Sequence, residues 1–252
     1  MDTAILVIVI VILSLVALPL VFEIFNVLFL SIYCRLKKKS DVKRLSQNAN
    51  NSIEKGVQSK AKKGFLKSTK EKMDPYFYGW MRYQTIVCGK IPSHRIRNFL
   101  YRKVFCMQIT KKTVIYGGCE IRSPWNIKAD RCVISTYCIL DGRNSIVFEE
   151  DVVLGSGVHI WTEEHNVDDP YFSVLSQNKQ GVLVKEKAWI CSDSTILPGV
   201  IVEKGCVLAS KAILTKSTEE FGVYAGIPAR LIKKRNQDLK YKLNGKPTWH
   251  YF

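Results

Sequence analysis

The sequence predicts a mainly β fold, a parallel β-helix of about five coils, with an N-terminal transmembrane helix and flanking capping helices. Three observations predict it. An aliphatic residue recurs at every sixth position, as Val184, Ile190, Ile196, Val202, Leu208 and Leu214. Four places after each of the first five stands a small or apolar residue: Ala188, Ser194, Val200, Cys206 and Ala212. Near the chain start, Ala4 to Phe22 is almost wholly apolar. A helix repeats at 3.6 residues and a strand at 2, so a period of six fits neither. It fits a strand–turn solenoid whose coils bury their aliphatic side only by stacking.

The first element is the anchor, residues 1–34. A spanning helix needs about 20 apolar residues, and the almost wholly apolar run from Thr3 to Cys34 is interrupted by Pro19, Glu23 and Asn26. A signal peptide would put positive charge first. Here Asp2 precedes the run, and Arg35, Lys37, Lys38, Lys39, Lys43 and Arg44 follow it. The positive-inside rule then puts the flank after the helix in the cytosol and the N-terminus outside. Thirty-two helical residues reach roughly 48 Å, against a hydrocarbon core of about 30 Å. A single tilted span and a re-entrant helix broken at Pro19 both satisfy that length.

Residues 35–72 read as a polybasic linker, with thirteen Lys/Arg against three Asp/Glu. Such a stretch buries too little apolar surface to fold alone. The chain's formal charge of +16 resides largely here. Beside a membrane segment, anionic lipids are its natural partner rather than nucleic acid. Residues 73–108 read as a helical cap broken at Pro92, with Tyr76, Phe77, Tyr78, Trp80 and Tyr83 either packed on the first coil or resting on the membrane interface. The hexads begin at Ile109, so the solenoid is expected to fold without residues 1–72.

The repeats occupy 109–229. Ile109, Ile115, Ile121 and Ile127 keep the period, the phase slips by one to Ile134 and Leu140, and it resumes at Phe148, Leu154 and Ile160. A break, the loop 161–183, precedes Val184. Leu231 to Leu243, within the final segment 230–252, reads as a short amphipathic helix, followed by the aromatic end Trp249-His250-Tyr251-Phe252. Several of the eight cysteines, such as Cys119, Cys138 and Cys206, fall at small-residue positions of the hexads. Their spacing gives neither a zinc site nor a secreted disulfide frame, which fits a reducing cytosol.

Ala188-Trp189-Ile190-Cys191, Ile196-Leu197-Pro198-Gly199-Val200, Leu214-Thr215-Lys216 and Ala225-Gly226-Ile227-Pro228-Ala229-Arg230 together carry a resemblance. The chain resembles the hexapeptide-repeat acyltransferases, whose fold is a left-handed parallel β-helix, and is most similar to bacterial surface-polysaccharide O-acetyltransferases. The resemblance spans about Ile109 to Arg235. Leu154-Gly155 is its only clear Ile-Gly-type pair, with Lys185, Cys191, Glu203 and Ala209 at the other Gly positions.

The resemblance implies acetyl-CoA as co-substrate, no required metal, and a homotrimer. It implies His165, in the loop, as the base that takes a proton from a sugar hydroxyl; His has a suitable pKa for this. His159 reads as structural. Glu163, Glu164, Asp168 and Asp169 are the candidates for orienting the imidazole, and Asp168 is carried as its partner. Trp189 is implied to line the acetyl-CoA channel, with Ser192 beside it. Ala209 and Ser210 are implied to contact the pantetheine arm, and Lys216 and Arg230 the phosphate and adenine. The implied activity is acetyl-CoA-dependent O-acetylation of a capsular, exopolysaccharide or O-antigen precursor, a lipid-linked glycan unit or a nucleotide sugar, at the cytosolic membrane face. The alternatives are N-acetylation of an amino-sugar nucleotide and a non-catalytic assembly scaffold. A carbonic-anhydrase-like zinc solenoid needs three His ligands, and only His159 and His165 lie near each other in sequence.

Overall fold

The computed structural model describes residues 3–51, 65–172, 174 and 181–248. Coil one holds β1 (Gln108–Ile109), β2 (Val114–Ile115) and β3 (Glu120–Arg122), and coil two β4 (Ile127–Ala129), β5 (Val133–Ile134) and β6 (Ile139–Asp141). Coil three holds β7 (Ile146–Phe148), β8 (Val153–Leu154) and β9 (His159–Ile160), and coil four β10 (Val182–Val184), β11 (Trp189–Ile190) and β12 (Thr195–Ile196). Coil five holds β13 (Ile201–Val202), β14 (Val207–Leu208) and β15 (Ile213–Leu214). A partial sixth coil adds β16 (Gly222–Ala225), and β17 (Arg230–Lys234) turns back on it.

These strands stack into three faces. The first is β1-β4-β7-β10-β13, the second β2-β5-β8-β11-β14-β16 with β17 at its edge, and the third β3-β6-β9-β12-β15. Neighbours are parallel except β16 and β17. On the second face Ile115, Ile134, Leu154, Ile190 and Leu208 form one fully buried column. Strands this short hold only because each coil seats its aliphatic side chains on the next.

The apparent phase slip has a structural cause. Ala129, not Ile127, lies in register with Ile109 and Phe148. Ile127 instead pairs with Ile146, which pairs with Val182. A 3-10 turn at Pro124–Asn126 widens that corner, so the strand after it buries two residues instead of one. Turn glycines are not needed either. Tyr137, Asp193 and Lys211 take left-handed φ of 59°, 58° and 59° at the corner between the second and third faces.

The cap is α2 (Phe65–Gly89) and α3 (His94–Lys103), separated around Pro92 as expected but beginning eight residues earlier than the boundary at 73. Thr85 Oγ1 donates to Ile121 O at 2.9 Å, and Arg82 Nε to Glu120 Oε1 at 2.9 Å, laying α2 along β3. Arg97 on α3 is fully buried and donates to Ile115 O at 2.8 Å. It thereby covers the open strand edge of coil one.

Two expectations are corrected. The basic stretch after Cys34 is not an unstructured linker: α1 runs from Thr3 to Asn51 through Pro19. Residues 52–64 of that segment lie outside the described residues. The helix persists because one side of it is packed. Leu30, Tyr33 and Cys34 are buried, Lys37 pairs with Asp74 at 2.6 Å, Asp41 accepts from Trp125 Nε1, and Arg44 donates to Arg143 O at 2.7 Å. Leu13–Ser46 contains an 18-residue stretch apolar enough to cross a membrane, with mean hydropathy 2.3 and 12% of that stretch buried in protein.

The second correction concerns the C-terminal segment. Leu231 to Leu243 is not a helix. Residues 230–234 form β17, which covers the edge of β16. The chain then climbs a corner of the prism without regular structure. Tyr241 OH donates to Lys187 O at 3.0 Å, Leu243 N to Asp151 Oδ1 at 2.9 Å, and Thr248 N to Tyr116 OH at 2.9 Å. The aromatic end, 249–252, lies outside the described residues.

Candidate active site

The corner between the third and first faces carries the insertions: the turn 124–126, a second 3-10 turn at Gly142–Asn144, and then the loop from Trp161 to Gly181. The loop root is held by buried polar groups. Thr162 Oγ1 donates to Asp141 O at 2.7 Å and accepts from Asn144 N at 2.9 Å; Asn144 Nδ2 donates to Thr162 O at 2.7 Å. Arg143 bonds Asp141 through two hydrogen bonds of 2.8 Å and ion-pairs with Glu163. The bond to Asp141 and its charge, despite burial, hold the Arg143 guanidinium firmly ionised. Where the loop rejoins, Gly181 is required: a Cβ there would collide with the carbonyls of Asn144 and Ser145.

The loop folds back to present a histidine. Asn166 Oδ1 accepts from Asp168 N at 3.1 Å, and Phe172 N donates to Asp169 O at 2.8 Å. These turns bring Phe172 onto His165. The rings stack at 4.3 Å and 5°, and Phe172 O lies 2.9 Å from His165 Nδ1. A carbonyl oxygen only accepts, so Nδ1 carries a proton, and in the neutral imidazole the lone pair is then on Nε2. The side chain is exposed, so Nε2 is positioned to take a proton from an incoming group.

Asp168 lies apart from the imidazole. It is exposed, and among the described residues no contact joins it to His165. Glu163 serves the loop root. Phe172's backbone orients the ring, a role no side-chain motif reveals. The buried Asn144 and Thr162 were likewise missed, although their position beside an insertion is a usable signal. His159 sits on the third face in register with Ile139 and Thr195, 6.0 Å from the Trp161 ring.

The coenzyme candidates fall elsewhere. Trp189 stands out from the second face, 48% exposed. Ser192, Ala209 and Ser210 follow at the corner beyond, where Lys211 N donates to Ser192 O at 3.1 Å, linking adjacent coils. Arg230 is exposed opposite Ala225, one coil past Ala209. Lys216 is exposed at the loop-bearing corner instead. One copy therefore gathers Trp189, Ser192, Ala209, Ser210 and Arg230 along the second face and its corner, and leaves His165 and Lys216 apart from them. Among the described residues no three His, Cys, Asp or Glu side chains converge as a metal set. Burial pushes Cys132 up to about 12 and Cys206 to about 11, which keeps those thiols protonated and inert.

A prism of stacked hexads with a histidine-bearing loop defines a class, the hexapeptide-repeat β-helix proteins. No family model matches the chain. In sequence, WbbJ of Escherichia coli K12, named as a lipopolysaccharide biosynthesis O-acetyl transferase, is 26% identical over 121 residues, 44% of this chain and 62% of that one. WcaF of the same strain, named for colanic acid biosynthesis acetyl transfer, is 26% identical over 159 residues, 62% of this chain and 85% of that one. The chain thus spans less than two thirds of WbbJ. A hexapeptide-repeat-containing acetyltransferase of Vibrio cholerae, solved with acetyl coenzyme A, has the same fold at 15% identity and TM-score 0.55, over 74% of this chain and 97% of that one. The chain thus shares its fold with a hexapeptide-repeat acetyltransferase and is similar in sequence to acetyltransferases named for surface-polysaccharide biosynthesis.

Proposed function

We propose that the protein is an acetyl-CoA-dependent O-acetyltransferase acting on a sugar hydroxyl of a surface-polysaccharide precursor. The observation that carries this is the His165 Nδ1–Phe172 O contact of 2.9 Å, which leaves Nε2 as base on a loop of an acyltransferase solenoid. The acceptor O–H gives its proton to Nε2 as its oxygen attacks the thioester carbonyl. The tetrahedral intermediate collapses, the C–S bond breaks, and the imidazolium returns the proton to the coenzyme sulfur. Backbone amides beside Trp189 stabilise the oxyanion.

Base and coenzyme residues lie on different faces of one copy, which supports a homotrimer with each site shared between two copies. In this reading Lys216 and Arg230 meet the coenzyme phosphates. The long apolar α1 supports anchoring in the bacterial inner membrane, with the solenoid cytosolic and Lys38, Lys39 and Lys43 against anionic lipids. A lipid-linked acceptor fits that placement. The test is mass spectrometry of a membrane-extracted glycan incubated with acetyl-CoA and the full chain. One acetyl group should appear with the wild type and not with His165→Ala. Unchanged acetylation by the variant would remove His165 as base.

A further inference from the structure

We propose that the outer face of the cap, formed by α2 and α3, lies on the headgroup layer of an anionic bilayer and acts as a second membrane contact beside α1. This rests on reading α1 as a membrane helix. On α2, Met81, Thr85 and Cys88 point into the solenoid and are buried. The opposite side carries Tyr76, Trp80, Tyr83 and Val87, exposed by 74, 37, 55 and 38%. Their spacing of four, three and four places them in one stripe. On α3, Arg97 and Tyr101 point inward, while Ile96 and Phe99 are 54% and 52% exposed.

Three features identify the occupant as lipid. The first is continuity. Trp80 Nε1 donates to Asn26 Oδ1 at 2.9 Å, which fixes the stripe beside the part of α1 where Ile24, Phe25 and Leu28 are exposed by 61, 67 and 54%. The second is side-chain type, since Trp and Tyr with an apolar body and a polar tip favour the membrane–water interface. The third is charge. From residue 72 to 103 the basic residues are Lys72, Arg82, Lys90, Arg95, Arg97, Arg102 and Lys103, and the acidic residue is Asp74. Asp74 is engaged by Lys37 and Tyr33. The exposed Lys72, Lys90, Arg95 and Lys103 therefore present uncompensated positive charge to an anionic surface.

Gly79 lies within the stripe, and a Cβ there meets nothing within 4 Å. The experiment uses the full chain with Cys106 and Cys191 changed to serine, and Gly79→Cys labelled with an environment-sensitive fluorophore. The labelled chain is reconstituted into phosphatidylglycerol–phosphatidylethanolamine vesicles. Lys233→Cys on β17 is the control, and Phe99→Cys is a second cap position. Labels at 79 and 99 should be quenched by shallow nitroxide lipids and resist aqueous iodide, with the reverse at 233. Iodide quenching at 79 and 99 equal to that at 233, in vesicles that carry the protein, would overturn this proposal alone. Shielding from both quenchers would overturn it in favour of a protein cover, a second copy included. Failure of the chain to float with vesicles would overturn the membrane placement as a whole.

Discussion

Trp125 Nε1 donates to Asp41 Oδ2 at 2.8 Å, joining residues 84 apart in sequence. Trp125 is 1% exposed, and Asn126 Nδ2 donates to the same oxygen at 2.9 Å. One carboxylate thus welds α1 to the first corner of the solenoid.

Asp41→Ala should strand both donors, at about 1–3 kcal/mol for each buried group left unmatched. Thermal melting in detergent should fall accordingly, and Asp41→Asn should recover part of it, because an amide oxygen still accepts. A melting temperature unchanged in Asp41→Ala would show that the weld contributes nothing.

Deletion of residues 1–72 removes Leu30, Tyr33, Cys34 and Asp41 together. It should give a chain that is rapidly cleaved in limited proteolysis. Deletion of residues 1–25 spares all four and should leave the solenoid protected. Equal protection in the two would show that coils and cap need no support from α1.

His165→Ala should lower turnover by about 10²-fold or more with acetyl-CoA affinity retained. Asp168→Ala should keep most of the activity, since Phe172 O holds the imidazole. Steady-state kinetics with calorimetric coenzyme binding separates the two. A loss in Asp168→Ala matching that of His165→Ala would put a carboxylate back beside the base.

Trp189→Ala and Lys216→Ala should each weaken acetyl-CoA binding. Lys216→Ala should matter less for dephospho-CoA, which lacks the 3′-phosphate. Identical losses for both coenzymes would move Lys216 away from that phosphate.

Asp151 supplies a pH dependence. Burial opposes its ionisation, but hydrogen bonds from Arg131 and from Leu243 N outweigh that and hold its pKa below the usual carboxylate value. A depressed pKa means stability present at neutral pH and lost as pH falls below the ordinary carboxylate range, through the folded value. The protection factor of the Leu243 amide against hydrogen exchange, taken relative to the intrinsic rate at each pH, should therefore fall in acid, and Asp151→Asn should flatten that dependence. An unaltered acid profile in the variant would assign it to other groups.

The solenoid was legible because each coil repeats one packing event, so Val184 to Leu214 announces itself by period alone. The register at Ile127 was not, since a widened corner changes how many residues face inward without changing their character. The basic end of α1 read as unfolded because composition describes what a segment buries by itself. Its order comes from Trp125 and Arg143, far along the chain. Likewise His165 stood out by residue type, whereas its partner is a backbone oxygen that any residue at 172 would carry. Leu231 to Leu243 has helix-like spacing, and the unpaired edge of β16 overrides it.

The tail that climbs the prism changes how such a stack comes apart. Coils that touch only their neighbours open one at a time from either end. Here Thr248 reaches Tyr116 across 132 residues, and Leu243 reaches Asp151 across 92. Peeling the first coil breaks the strap at its top, and peeling the last pulls it from below. The ends are tied to each other, and the expected outcome is an array that unfolds in one step rather than fraying gradually.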